Sequence, residues 1–162
     1  MRRIPLTRGL FAMVDDVDYP RLSAHKWYAN GTRYVYACRF KDRRTILMHR
    51  EILGTPEGAE TDHANGDTLD NRRGNLRACS KSQNAQNRKL RSGSATGFKG
   101  VTWVRDARYR IGGRFIVRLR HKGRCTRGAF LTAEDAARAY DVMALKAYGE
   151  FARLNFPKEC VS

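Results

Sequence analysis
The rhythm of apolar and polar positions changes several times along the 162 residues, and each rhythm predicts an element. Ile4 to Val14 reads as two short strands broken at Arg8-Gly9, where a cation and a glycine interrupt an apolar run. Asp15 and Asp16 stand as N-caps of a short helix, with Pro20 in its first turn and Leu22 and Trp27 turned inward. From Thr32 the period becomes two. Tyr34, Tyr36, Cys38 and Phe40 share one face, and Arg33, Val35, Ala37 and Arg39 the other. Lys41 to Arg44 is the turn and Thr45 to Met48 the return strand; His49 to Leu53 then starts a short helix that stops at Gly54 or Pro56.

Thr61 to Arg88 obeys neither period. Turn-forming residues are too dense there for a strand, and apolar ones too few for a buried helix. Beyond it, Arg88 to Gly97 is basic and rich in Gly and Ser, which predicts a linker. Lys99–Arg105, Arg114–Arg120 and Arg124–Leu131 read as three strands, the second alternating cleanly: Phe115, Val117 and Leu119 against Arg114, Ile116, Arg118 and Arg120. Thr132-Ala133-Glu134-Asp135 resembles a capping box and Gly149 a C-terminal stop, so a helix lies between them. Its stripe of Ala136, Tyr140, Met143 and Ala147, joined by Ala137 and Ala144, is small enough to lie close on a sheet. The other face of that sheet is then open and carries arginine, which predicts contact with phosphate and guanine edges.

Charge sharpens this picture. The formal net charge is +16, and residues 88–127 alone hold thirteen Lys/Arg against one acidic residue. Such a block calls for a polyanion, because each neutralised phosphate releases counterions. Basic residues alternate with strand-like apolar ones, which favours nucleic acid over a membrane surface. Cys38, Cys79, Cys125 and Cys160 are widely spaced with no C-x-x-C pair, so they read as buried small hydrophobes rather than a zinc site. No apolar run approaches membrane-spanning length and no signal peptide is apparent, so a soluble intracellular protein is expected. His25, His49 and His121 read as surface or hydrogen-bonded residues, with His49, shortly ahead of the polar stretch, the one to watch.

The polar stretch carries the chemistry. Phosphodiester hydrolysis needs a base for water and neutralisation of the departing 3′ oxygen. A neutral imidazole suits the first, with an ordinary pKa of about 6.5, and a hard cation on oxygen ligands suits the second. His63 offers the imidazole, Asp62 a carboxylate diverging from it along a strand, and Asn84 a neutral amide oxygen. Asn75 bridges unpaired backbone groups of the loop from Ala64 to Gly74; Asp70 and Asn71 share that task, and Leu69 and Leu76 pin the loop. A calcium loop is excluded, since alternate positions from Asp62 are Ala64 and Gly66.

Met48-His49-Arg50, Asp62-His63, Asp70-Asn71-Arg72-Arg73-Gly74-Asn75-Leu76-Arg77, Asn84 and Asn87 together closely resemble the HNH nucleases, in their phage-type homing branch. His63 stands 12 residues before Asn75 and 21 before Asn84, as in that family. The resemblance implies a ββα-metal fold with His63 as general base, Asn75 as loop organiser, and Asp62 and Asn84 as ligands of Mg²⁺, with Mn²⁺ as substitute. Asn87 stands open as an alternative to Asn84. Gly97-Phe98-Lys99-Gly100-Val101, Gly128-Ala129-Phe130, Ala133 to Asp141, and Leu154-Asn155-Phe156-Pro157 resemble the Apetala/ethylene-response-factor DNA-binding domain. That resemblance implies three strands in the major groove backed by one helix, with Thr102, Arg118, Arg120, Arg124 and Thr126 on DNA. Arg105 and Arg114 join this candidate set. Phe115 stands where plant members often carry Trp, and the first strand connection is longer.

The expectation is therefore an α+β chain: a ββα-metal nuclease with a β-hairpin lead-in over 1–90 (core 48–88), a linker over 91–97, and a three-stranded antiparallel sheet on one helix over 98–157. It is expected to hydrolyse double-stranded DNA as a site-selective, metal-dependent homing endonuclease, without a membrane or an obligate protein partner. A DNA-binding regulator with an inactive nuclease is the rival reading.

Overall fold
The computed structural model describes residues 1–32, 34–90, 93–106 and 112–157. Arg33 of the alternating run, Arg91 and Ser92 of the expected linker, much of the long first strand connection, and Cys160 lie outside the described residues. The chain divides into two compact units, Met1–Ala85 and Gln86–Ser162.

In the first unit, β1 (Arg2–Pro5) and β2 (Phe11–Val14) pair antiparallel across a 3-10 turn at Thr7–Gly9. Helix α1 (Tyr19–Ser23) follows with Pro20 in its first turn. Its N-cap is Asp18, not Asp15 or Asp16. None of the three carboxylates caps it through its side chain: Asp18 is held by Arg21 and Arg73, Asp16 by the N-terminal ammonium and Arg2, and Asp15 accepts the Arg73 backbone N–H. Strands β3 (Tyr28–Asn30), β4 (Tyr36–Lys41) and β5 (Arg44–Leu47) form an antiparallel sheet in that order. The first of these is too short and polar to have been read from pattern. Period two holds to the end of β4, so Phe40 shares the face of Tyr36 and Cys38, but beside the hairpin turn it is 67% exposed.

Helix α2 (Met48–Leu53) ends at Gly54, whose φ of 60° is the left-handed C-cap that glycine adopts without cost. Then β6 (Glu60–His63) pairs antiparallel with β7 (Leu76–Cys79), and α3 (Lys81–Gln86) follows at once. A reciprocal capping box starts α3: the Gln83 N–H donates to Ser80 Oγ, and the Ser80 N–H donates to Gln83 Oε1. One core joins these parts, with Ile4 and Val14 of the first hairpin packed in the same cluster as Leu22, Trp27, Met48, Ile52 and Leu76. The N-terminal strands are thus part of the body that carries the polar stretch.

In the second unit, β8 (Val101–Arg105), β9 (Gly113–His121) and β10 (Arg124–Phe130) form an antiparallel sheet with β9 central. Helix α4 (Ala133–Tyr148) packs on it, with Thr132 Oγ1 accepting the Asp135 N–H as its cap and Gly149 closing it. Val117, Leu119, Tyr140 and Ala144 form one core cluster, and Val101, Ala136 and Ala137 another. Gly100 sets the approach: a Cβ there would lie 2.2 Å from the Tyr140 ring. Buried Asp141 holds the chain after α4, accepting from the backbone N–H groups of Asn155 (2.8 Å) and Phe156 (2.7 Å). Of the three described cysteines, Cys38 and Cys79 are buried, but Cys125 is exposed on β10, where Arg120 is its cross-strand partner. No helix among the described residues is long and apolar enough to cross a membrane.

Candidate nuclease centre and nucleic-acid interface
Strand β6 delivers Asp62 and His63 to opposite faces of the β6–β7 pair. Register places Asp62 opposite Arg77 and His63 opposite Leu76, and directly opposed residues share a face. His63 therefore points to the core side and is 4% exposed. Asp62, 6% exposed, accepts from the Arg77 guanidinium through Nε (2.9 Å) and Nη2 (2.7 Å).

The loop between the strands is organised by its own amides. The Asn75 Nδ2–H donates to the Asp70 carbonyl (2.8 Å), and Asn75 Oδ1 accepts the Asn65 N–H (3.0 Å), so one side chain ties both arms of the loop. Asp70 is buried and accepts from Asn65 Nδ2 and from the Arg72 guanidinium. Outside contacts complete the clamp. The Met13 N–H donates to the Leu69 carbonyl and the Asn71 N–H to the Met13 carbonyl, both at 2.8 Å. Arg73 is held by Asp18 at 2.7 Å, and Thr68 Oγ1 donates to the Val35 carbonyl. These partners come from far back in the chain, which is why no local pattern announced them.

Three residues join His63 that sequence reasoning underrated. Asn71 Oδ1 lies 3.3 Å from His63 Nε2. His49, from α2, is buried with its ring centroid 5.0 Å from that of His63, edge to face, and Tyr36 stands 5.4 Å from His49. The clue to His49 was its place at the start of a short helix just ahead of the polar stretch, where Met48, His49 and Ile52 are buried. Burial pushes His49 down to about 3, with the neighbouring His63 and Arg50 adding to the effect. Burial also lowers His63 below its ordinary value, opposed by the Asn71 hydrogen bond and by Asp62. Both imidazoles are accordingly neutral near pH 7.

Asn84 lies on α3, partly exposed, its N–H bonded to the Ser80 carbonyl. Asn87 follows the helix and is buried. A carboxylate and an amide oxygen are the donors a hard divalent cation prefers, so Asp62 and Asn84 fit that class. No cluster of three or more His, Cys, Asp or Glu side chains gathers among the described residues.

In the second unit, register sorts the candidate DNA-contacting residues. Thr102 pairs with Ile116, Val104 with Arg114, and Arg118 with Arg127. These residues, with Arg120, lie on the face away from α4, where Arg114, Ile116, Arg118 and Arg127 line a groove with Val104 and Asp106. Arg127 was not among the sequence candidates. Arg124 and Thr126 pair with His121 and Leu119, and Arg105 with Gly113, so these three lie on the face shared with Val117 and Leu119. The sheet thus brings Thr102, Arg114, Arg118 and Arg120 together and separates Arg105, Arg124 and Thr126 from them.

Comparison with known proteins finds relatives for both regions. Residues 47–86 match the family described as HNH endonuclease. A protein of Acanthamoeba polyphaga mimivirus, named as an uncharacterized HNH endonuclease, is 28% identical over 156 residues, covering 91% of this chain and 76% of that relative. Dehydration-responsive element-binding protein 2A of Arabidopsis thaliana is 44% identical over 61 residues, and protein 2E is 39% identical over 70. Each match spans 36% of this chain but only 18% and 29%, respectively, of the plant proteins. No solved structure matches. Residues 47–86 are thus similar to HNH endonucleases, and a further region is similar to the dehydration-responsive element-binding proteins of Arabidopsis.

Proposed function
We propose that this protein is a site-selective DNA endonuclease of the homing type, hydrolysing phosphodiester bonds of double-stranded DNA with Mg²⁺, and with Mn²⁺ as substitute. The observation that carries the reading is a neutral, buried His63 beside Asp62, at the foot of a loop that Asn75 ties together. His63 takes a proton from water as the water oxygen bonds to phosphorus. The bond from phosphorus to the 3′ oxygen breaks, its electron pair stays on that oxygen, and a second water protonates it. The products are a 5′ phosphate and a 3′ hydroxyl, and the imidazolium returns its proton to the hydroxide left behind. Asp62 and Asn84 would hold the cation, which supplies positive charge against the phosphate and the departing oxygen. Asn75 keeps the loop in the shape that presents His63.

The open arginine face of β8–β10 is the DNA reader, with Thr102, Arg114, Arg118 and Arg120 at its centre. Residues 1–90 and 98–157 act as nuclease and reader domains joined by the basic stretch 91–97. Reader binding then gives a nuclease of low intrinsic selectivity a high effective concentration at one step.

Supercoiled plasmid and Mg²⁺ test this directly. Wild type should nick, while His63→Ala and chelated wild type should not. Identical behaviour of wild type and His63→Ala between about pH 6 and 9, a span that includes the ordinary imidazole value of about 6.5, would sink the enzyme reading. A DNA footprint indifferent to chelator would then mark a regulator.

A further inference from the structure
Asn71, like its neighbour Asp70, is 1% exposed, and its backbone N–H and both ends of its side-chain amide have partners. Its backbone N–H donates to the Met13 carbonyl at 2.8 Å, which anchors the residue to β2. Its Nδ2–H donates to the Leu69 carbonyl at 3.2 Å. Its Oδ1 faces His63 Nε2 at 3.3 Å. These three contacts leave the amide one orientation. A carbonyl oxygen accepts only from a donor, so the nitrogen end must face Leu69 and the oxygen end His63. An amide oxygen also only accepts. The ring nitrogen it meets must therefore carry the hydrogen, and in a neutral imidazole the lone pair then belongs to the other nitrogen, Nδ1.

We propose that Asn71 is the positioning residue of the nuclease centre: by accepting from Nε2 it holds His63 in the Nε2–H tautomer and makes Nδ1 the atom that takes the proton from water. The inference rests on the nuclease reading of this site. Asn71 touches neither water nor phosphate in this scheme; it acts through His63. Its role also differs from that of Asn75, whose side chain joins backbone to backbone across the loop. The commitment reaches back to the first hairpin. Met13 accepts from the Asn71 backbone, and its own N–H donates to the Leu69 carbonyl that also takes the Asn71 amide. One carbonyl and one strand residue thereby lock the acceptor that faces the base.

The test uses the full-length protein labelled with ¹⁵N histidine, at about pH 7.5, above the ordinary imidazole value. Wild type should show the His63 ring with hydrogen on Nε2. Asn71→Leu, which removes the acceptor, should lose that preference, and its single-turnover nicking rate should fall roughly 100-fold while DNA half-saturation changes by less than about twofold. Asn71→Asp, which restores an acceptor oxygen, should recover the tautomer and most of the rate. Should Asn71→Leu fail to fold, the wild-type and Asn71→Asp spectra decide. Hydrogen on Nδ1 in wild type overturns the inference, as does an Asn71→Leu protein that cuts like wild type. Wild type that shows the Nε2–H tautomer yet nicks with neither Mg²⁺ nor Mn²⁺ overturns the nuclease reading itself, and the catalytic part of this proposal with it.

Discussion
Arg77 donates two hydrogen bonds to one oxygen of Asp62, at 2.9 and 2.7 Å, across the β6–β7 pair. A buried carboxylate of the proposed nuclease centre is thus held by an arginine from the facing strand. Such a pairing offsets the desolvation of the carboxylate while no cation is bound. It also sets up a competition, because an arriving cation meets an acceptor already in use.

Removing the arginine exposes that competition. Arg77→Leu should destabilise the chelated protein by about 3 kcal/mol, the scale for breaking a buried ion pair. Added Mg²⁺ should then raise its melting temperature more than it raises that of wild type. Differential scanning calorimetry with and without chelator reads both; equal Mg²⁺ shifts would mean the cation does not meet Asp62.

The pH dependence of nicking follows from burial. His63 is lowered from its ordinary value, and a base works in its neutral form. The acid limb of the single-turnover rate should therefore lie below the ordinary histidine value of about 6.5, with the rate flat above it. A limb above that value would contradict the burial of His63.

Acid should loosen the clamp on the loop. Hydrogen bonding to Arg73 holds Asp18 below the usual carboxylate range, and hydrogen bonding to Arg72 does the same for Asp70. A depressed folded-state pKa stabilises fully above the unfolded value of about 3.9, and that stability is lost as pH falls through the folded value. The urea midpoint of wild type should thus drop from about pH 5 to pH 3, and Asp18→Asn should flatten part of the drop.

On the proposed reader, two arginines that pair across β9 and β10 should matter together. Arg118→Ala and Arg127→Ala should each weaken specific binding by roughly 1–3 kcal/mol if they meet base edges. Arg124→Ala, on the opposite face, should cost less than either. Titrations against cognate and scrambled duplexes separate base contacts from phosphate contacts, since phosphate contacts lose affinity uniformly.

Packing in the second unit gives an independent check. Gly100 has φ of +76° and no room for a Cβ against Tyr140. Gly100→Ala should destabilise the protein by roughly 2–4 kcal/mol, combining overpacking with left-handed strain. Thermal unfolding of the variant measures it.

Local chemistry determined a great deal here from sequence alone. Period two placed β9, Thr132 and Gly149 bounded α4, and the small-residue stripe chose the helix face that packs. Asp62-His63 followed by dense turn residues marked a loop, and Asn75 was legible as its bridge because an amide with unpaired backbone around it has few other uses. Tertiary structure decided the rest. The carboxylates ahead of α1 went to the Arg73 backbone and guanidinium, to Arg21, Arg2 and the N-terminus, and so Asp15 and Asp16 do not cap the helix. Strand register separated Arg124 and Thr126 from Arg118, although all look alike in a basic string. His49, Asn71 and Arg77 reached Asp62 and His63 from α2, the loop and β7. Their spacing along the chain carries no period that encodes contact; only the folding of one hairpin against another brings an acceptor to a histidine and a guanidinium to a carboxylate.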